Sequence, residues 1–296
     1  MKKPLVSVCM ITYGHVNYIK KAIESVLEQI TDFQIELVVA NDCSPDDTDT
    51  VVNRIITQHP KGSLISYICH EKNIGMMPNF KFALQQCQGK YIALLDGDDY
   101  WTDPLKLQKQ VDFLEANSDY VSCFHPCHTL REDLEGILVK QPISRIKYKY
   151  TIKNLLTNWN IPTASIVFRN EKKLKFPNWF LKIASGDIAL MMLLYESGKF
   201  KLLEEYMSVY RINAGGASNS HKNYRMIHYR AKLYSFLNEY FNYKYEVDIY
   251  DAFHNIYEKF SNKEHQENIL RNKKKDTFTL KKKLISFCKK VKHSLK

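Results

Sequence analysis

Asp96, Asp98 and Asp99 place three carboxylates within four residues, with Gly97 between the first two. Carboxylate oxygens are hard donors. A tight turn carrying three of them suits Mg²⁺ or Mn²⁺, with phosphate oxygens completing the coordination. Asp and Gly are also ordinary turn formers, so on residue types alone a solvated acidic turn explains the run equally well. A second group raises the same question. Cys123, His125, Cys127 and His128 offer four zinc-type donors within six residues. Structural zinc usually draws on two separated pairs, and this run continues an apolar strand, so buried cysteines are the expectation there.

The acidic turn closes the apolar run Tyr91–Leu95, and three earlier runs have the same character. Val6–Ile11, Ile35–Ala40 and Leu64–Cys69 read as buried strands. Between them, Tyr18–Glu28, the segment from Thr48, and Pro78–Gln86 repeat apolar residues at helical spacing. This alternation predicts an α/β fold with a doubly wound, mostly parallel sheet. Ligands of such sheets bind beyond the carboxyl ends of the strands. Asp42 and Asp96–Asp99 fall at those ends, which favours the metal over a bare turn. Downstream, the pattern predicts a strand at Tyr120–Phe124 and a variable loop over 130–150. A strand at Thr163–Arg169, a helix at Ile188–Tyr195 and an edge strand at Lys199–Leu203 follow. Two or more helices are expected from Tyr224 to about Leu270.

Four segments in order now carry a resemblance: Val6–Tyr13, Val39–Thr48, Asn73-Ile74-Gly75 and Leu95–Trp101. Together they resemble the signature of glycosyltransferase family 2 over roughly residues 4–220. The resemblance implies a Rossmann-like GT-A fold, a nucleotide-sugar donor (a UDP-sugar is expected), a divalent metal, and inversion at the anomeric carbon. It implies that Thr12, Tyr13 and Asp42 hold the base and ribose, with Asn73 and Gly75 in the loop beside the nucleotide. Asp96 and Asp98 match the metal motif, Asp98 the more direct ligand, with Asp99 supporting it. Ser185-Gly186-Asp187 matches the acceptor-side acidic motif, so Asp187 becomes the expected base for the acceptor hydroxyl. Without that match, Asp187 reads as a helix cap. Arg211 is expected on diphosphate oxygens, and Asn213 near the diphosphate or metal. Gly186 stands where Glu is usual, Asn213 where His is frequent, Ile11 where Pro is usual and Gly14 where Asn is usual. Arg169 and Trp179 lie where acceptor contacts fall, although an exposed Arg and a core Trp are the plainer expectation.

The expected organisation is a glycosyltransferase domain over 1–220, its nucleotide half about 1–100 and its acceptor half about 101–220. A helical extension over 221–270 and a basic amphipathic tail over 271–296 complete it. Of the formal net charge of +11, the tail carries +10. Charge so concentrated argues against a nucleic-acid-binding body, and clustered carboxylates would repel phosphate. A sugar nucleotidyltransferase wants a Gly-rich, Arg-containing phosphate loop after the first strand, and Thr12-Tyr13-Gly14-His15 does not supply one. In the tail, Leu280, Leu284, Phe287, Cys288, Val291 and Leu295 form one helical stripe flanked by lysines. That pattern predicts contact with an anionic membrane surface. The seven cysteines, an odd number, point to a reducing compartment. The N-terminus reads as a strand rather than a signal peptide. The expected setting is the cytoplasmic face of the membrane, with a glycan or lipid-linked glycan acceptor of surface-polysaccharide synthesis.

Overall fold

The computed structural model describes residues 3–132, 136–141, 150–157, 161–170, 174–213 and 223–258. Strands β1 (Val6–Thr12), β2 (Ile35–Asn41), β3 (Ile65–Cys69) and β4 (Tyr91–Asp96) alternate with helices α1 (Ile19–Leu27), α2 (Thr48–Gln58) and α3 (Met76–Gln86). They pair in parallel in the order β3-β2-β1-β4. These four strands are the apolar runs of the sequence. Where both faces of a parallel sheet are covered, a strand reads as a near-continuous apolar run. Successive side chains part to opposite faces. Tyr91, Ala93 and Leu95 join the core under α1, α2 and α4 (Lys106–Ala116), while Ile92 and Leu94 join the core under α3.

Beyond β4 a single strand, β9 (Val167–Arg169), runs against the rest of the sheet. It pairs antiparallel with both β4 and β6 (Tyr120–Phe124), and β10 (Lys199–Leu202) closes the edge parallel to β6. The strand expected over Thr163–Arg169 is therefore shorter, because Thr163–Ser165 coil into a 3₁₀ turn. A second sheet of four strands was not expected. β5 (Tyr100–Trp101), β11 (Ser208–Ile212), β7 (His128–Arg131) and β8 (Ile137–Lys140) lie side by side in that order. β7 and β8 thus occupy part of the segment read as a variable loop over 130–150. Cys123 lies inside β6 and Cys127 is buried just beyond it.

On the far face, α5 (Ile152–Thr157), α6 (Gly186–Leu194) and α7 (Asn223–Tyr240) pack into the same core as α3, and residues 246–258 are again helical. Leu233, Tyr234 and Leu237 of α7 and Ile249, Ala252 and Ile256 are all buried there. Tyr234 donates its hydroxyl to the Leu156 carbonyl at 2.6 Å. Trp179 stacks on Phe236 at 5.8 Å between ring centroids. The described part of the expected helical extension, residues 223–258, thus packs into the sheet domain's core. Arg169 is not an exposed arginine. Its guanidinium and Nε donate to the carbonyls of Tyr120, Leu114 and Asn117 and to the Tyr91 hydroxyl, tying β9 to the end of α4. The tail over 271–296 lies outside the described residues. Among those described, no helix is long and apolar enough to cross a membrane.

Candidate active site

The site forms at the carboxyl ends of β1, β2 and β4, where the acidic turn meets the second sheet. Gly97 donates its N–H to the Ile11 carbonyl at 3.0 Å, which folds the turn back over β1. The glycine is needed for closeness. A Cβ there would lie 2.7 Å from Thr12 Oγ1 and 2.9 Å from His15 Nδ1. Asp99 is buried and accepts the Arg211 N–H at 2.8 Å through Oδ1, while its Oδ2 has no hydrogen-bond partner. Burial, first, then the charges of Asp98 and Asp96 push the Asp99 carboxyl well above the usual range.

Asp98 is held from several sides. Its Oδ2 accepts from Asn213 Nδ2 at 2.9 Å, and its carbonyl accepts from Arg211 Nη1 at 2.8 Å. The Arg211 guanidinium is nearly buried between the rings of Tyr18 and Tyr100, 4.6 and 5.3 Å from their centroids, with Nε 3.5 Å from Glu132. Tyr18 also donates its hydroxyl to Glu132 at 2.8 Å. The expected diphosphate residue is thereby built into the support of the acidic turn. Asp96 is pushed up to about 8, by burial first and then by Asp98 and Asp187. Asp187 thus lies near enough for its charge to act on Asp96.

Asp187 sits in the first turn of α6, and the N-cap position is filled by Ser185, which makes no side-chain cap bond. Gly186 has a packing reason to replace Glu. A Cβ there would lie 2.7 Å from Phe80 Cδ1 and 3.1 Å from Met77 Cε.

On the β2 side, Asp42 is buried, and both of its oxygens are engaged. Oδ1 accepts the Ile74 N–H at 2.7 Å and Oδ2 the Gly75 N–H at 2.9 Å. Asp42 thus shapes the Asn73–Gly75 loop, in which Gly75 adopts φ +93° and Asn73 is exposed. Thr12 is buried, and Tyr13 stands out into solvent at the mouth.

The loop after β1 is laced to the loop after β2. The N–H groups of Gly14, His15 and Val16 donate at 3.0 Å to Ser44 Oγ, Thr48 Oγ1 and Asp46 Oδ2. His15, which sequence reasoning passed over, is half-buried, with Nδ1 3.1 Å from Thr12 Oγ1 and Nε2 3.9 Å from Asp98 Oδ2. Burial lowers its pKa from the ordinary histidine value. Tyr18, Tyr100 and Glu132 were missed as well. Of these only Tyr100 carried a signal in the sequence, as part of the segment Leu95–Trp101.

Among the described residues, no three His, Cys, Asp or Glu side chains cluster closely enough to cage a cation alone. The donors at hand, Asp96 and Asp98 with the Asn213 amide beside them, are hard oxygens. They fit a divalent cation whose remaining ligands come from a diphosphate.

The sequence profile described as Glycosyl transferase family 2 matches residues 7–174. An uncharacterized protein of Mycobacterium tuberculosis is 33% identical over 214 residues, 72% of this chain and 60% of its own length. The chain thus spans less than two thirds of that relative. The UDP-Glc:alpha-D-GlcNAc-diphosphoundecaprenol beta-1,3-glucosyltransferase WfaP of Escherichia coli is 30% identical over 224 residues, covering 72% of this chain and 80% of WfaP. Staphylococcus aureus TarS in complex with UDP-GlcNAc shares the fold with a TM-score of 0.59 at 19% identity, over 81% of this chain and 72% of that one. The mannosyltransferase PcManGT of Pyrobaculum calidifontis, in complex with GDP-Man and Mn²⁺, does so with a TM-score of 0.57 at 17% identity, over 79% and 64%.

Proposed function

Because the chain belongs to glycosyltransferase family 2, we propose that it is an inverting, metal-dependent transferase moving a sugar from a UDP-sugar to a hydroxyl of a lipid-linked glycan. The observation that supports this reading best is the acidic turn Asp96–Asp99 at the carboxyl end of β4, folded over β1 by the Gly97 N–H and braced by Arg211 and Asn213. Asp96 and Asp98 would hold Mn²⁺ or Mg²⁺, which when bound offsets the negative charge of the departing diphosphate. Asp99, Arg211 and Asn213 fix the position of Asp98. Thr12, Tyr13, Asp42, Asn73 and Gly75 form the nucleoside side, with Asp42 acting through the loop it orders. Asp187 takes the proton of the acceptor hydroxyl as its oxygen forms a bond to the anomeric carbon. The bond from that carbon to the diphosphate oxygen breaks on the opposite side, which inverts the centre.

The acceptor class rests on the relative WfaP, whose name specifies a diphosphoundecaprenol-linked sugar, and on the lysine-flanked apolar stripe of the tail. With both, the enzyme works at the inner face of the membrane in surface-polysaccharide assembly. A panel of nucleotide sugars with Mn²⁺ tests the donor side. UDP-sugars should raise the melting temperature and undergo slow hydrolysis, and Asp98→Asn should remove both effects while preserving the fold. Equal turnover by Asp98→Asn and the parent, with chelator and with metal alike, would refute the metal assignment.

A further inference from the structure

His15 lies beside the acidic turn, held through both backbone and ring, and has no part in the reading above. Its backbone N–H is fixed on Thr48 Oγ1, and the N–H groups on either side are fixed on Ser44 and Asp46. Its ring is fixed at Nδ1 by Thr12 Oγ1, 3.1 Å away, on the buried end of β1. What remains is Nε2, 3.9 Å from Asp98 Oδ2. That separation is too long for a hydrogen bond. Asp98 Oδ2 already accepts from Asn213, so the histidine does not serve to hold the carboxylate.

We propose that His15 Nε2 is a nitrogen ligand to the divalent cation held by Asp98, a proposal that rests on the metal-dependent reading above. A histidine binds metal through a ring nitrogen that carries a lone pair. The other ring N–H is then donated to an oxygen that fixes tautomer and orientation. Nδ1–H donated to Thr12 Oγ1 supplies that arrangement and leaves Nε2 free to coordinate. Imidazole suits transition metals better than Mg²⁺, which favours oxygen ligands. The site therefore selects Mn²⁺ over Mg²⁺, and His15 is the source of the selectivity. Thr12 becomes the residue that orients the ligand.

The test uses the full chain with UDP and Mn²⁺, read by pulsed electron paramagnetic resonance and by titration calorimetry. The parent should show ³¹P coupling from UDP and ¹⁴N coupling from one imidazole on the bound Mn²⁺. His15→Gln should keep the ³¹P signal, lose the ¹⁴N signal and weaken Mn²⁺ in the UDP complex about tenfold or more. Mg²⁺ affinity should change less, so the preference for Mn²⁺ narrows. ³¹P coupling without ¹⁴N coupling in the parent, or ¹⁴N coupling that survives in His15→Gln, would overturn the assignment and leave metal-dependent transfer standing. Failure of the parent to bind Mn²⁺ with UDP would overturn both. Should His15→Gln not fold, the parent spectrum alone decides, and Thr12→Val, which removes the hydroxyl partner, should shift the ¹⁴N coupling.

Discussion

Gly186→Ala is a one-carbon test of how Asp187, the proposed base, is placed. The new Cβ would stand 2.7 Å from Phe80 Cδ1 and 3.0 Å from its Cε1. Carbon atoms pack at about 3.5–4.0 Å, so the start of α6 or the Phe80 ring must move by about 0.8–1.3 Å. Phe80 is buried among core residues and has little room to turn, so much of the displacement falls on the next residue, Asp187. Overpacking of this kind costs about 1–3 kcal/mol. The helical gain of Ala over Gly offsets about 0.5–1 kcal/mol of it. Stability is therefore a blunt gauge, and Tm should fall by only a few degrees. Rate is the sharper one, since misplacing a reacting group by about 1 Å costs on the order of 100-fold. The assay is kcat for transfer beside UDP affinity by calorimetry, with Phe80→Leu as the relieving change. We expect kcat to fall steeply, UDP affinity to hold, and the double variant to recover much of the loss. Parent-like kcat in Gly186→Ala, or no recovery in the double variant, would refute the reasoning.

Three further outcomes are expected. Asp187→Asn should abolish transfer with UDP affinity intact, and stability should drop by no more than about 1 kcal/mol from the lost charge in the first turn of α6; retained transfer would return Asp187 to a structural role. Lys106 is fully buried, bonded to Gln110 and set over the Trp101 ring, and burial lowers its pKa to about 7. Unfolded chains keep that proton to about pH 10, so the unfolded state binds more protons between the two values and stability rises with pH there. Relative to Lys106→Met, the parent should gain about 2 kcal/mol from pH 7 to 9 in denaturant titrations, and a flat difference would show the lysine to be ordinarily charged. Finally, the full chain should co-sediment with anionic vesicles in a salt-sensitive way and a chain ending at Leu270 should not; equal binding of the two would remove the tail from the membrane reading.

The parallel half of the fold was legible because strands covered on both faces read as near-continuous apolar runs, and β1, β2 and β4 do. The second sheet was not. β5 has two residues, β7 is half-buried along its length and β8 is exposed. None of these shows the apolar alternation that marks a strand. Moreover, β5 pairs with β11 across about a hundred residues, a partnership no local pattern encodes. Arg169 was misread for a related reason: its partners are backbone carbonyls, which every residue type supplies. The carboxylates of the site could be picked out by type and order. Their supports, Tyr18, Glu132 and Phe80, could not, because each acts through proximity across the fold.

The lacing of residues 14–16 onto Ser44, Asp46 and Thr48 also bears on the thermodynamics of donor capture. A free loop loses backbone entropy of about 1–2 kcal/mol per residue when a ligand orders it. Here three successive N–H groups are already committed to side chains of the neighbouring loop. Most of that ordering is completed when the chain folds. In the proposed reading the nucleotide then meets a surface already set, and its contacts go into affinity instead of into arranging the loop. Removing one lace, as in Ser44→Ala, would shift that entropy from the folding step to the binding step. The loss would register as weaker donor affinity with a less favourable binding entropy, although Ser44 need not touch the nucleotide at all.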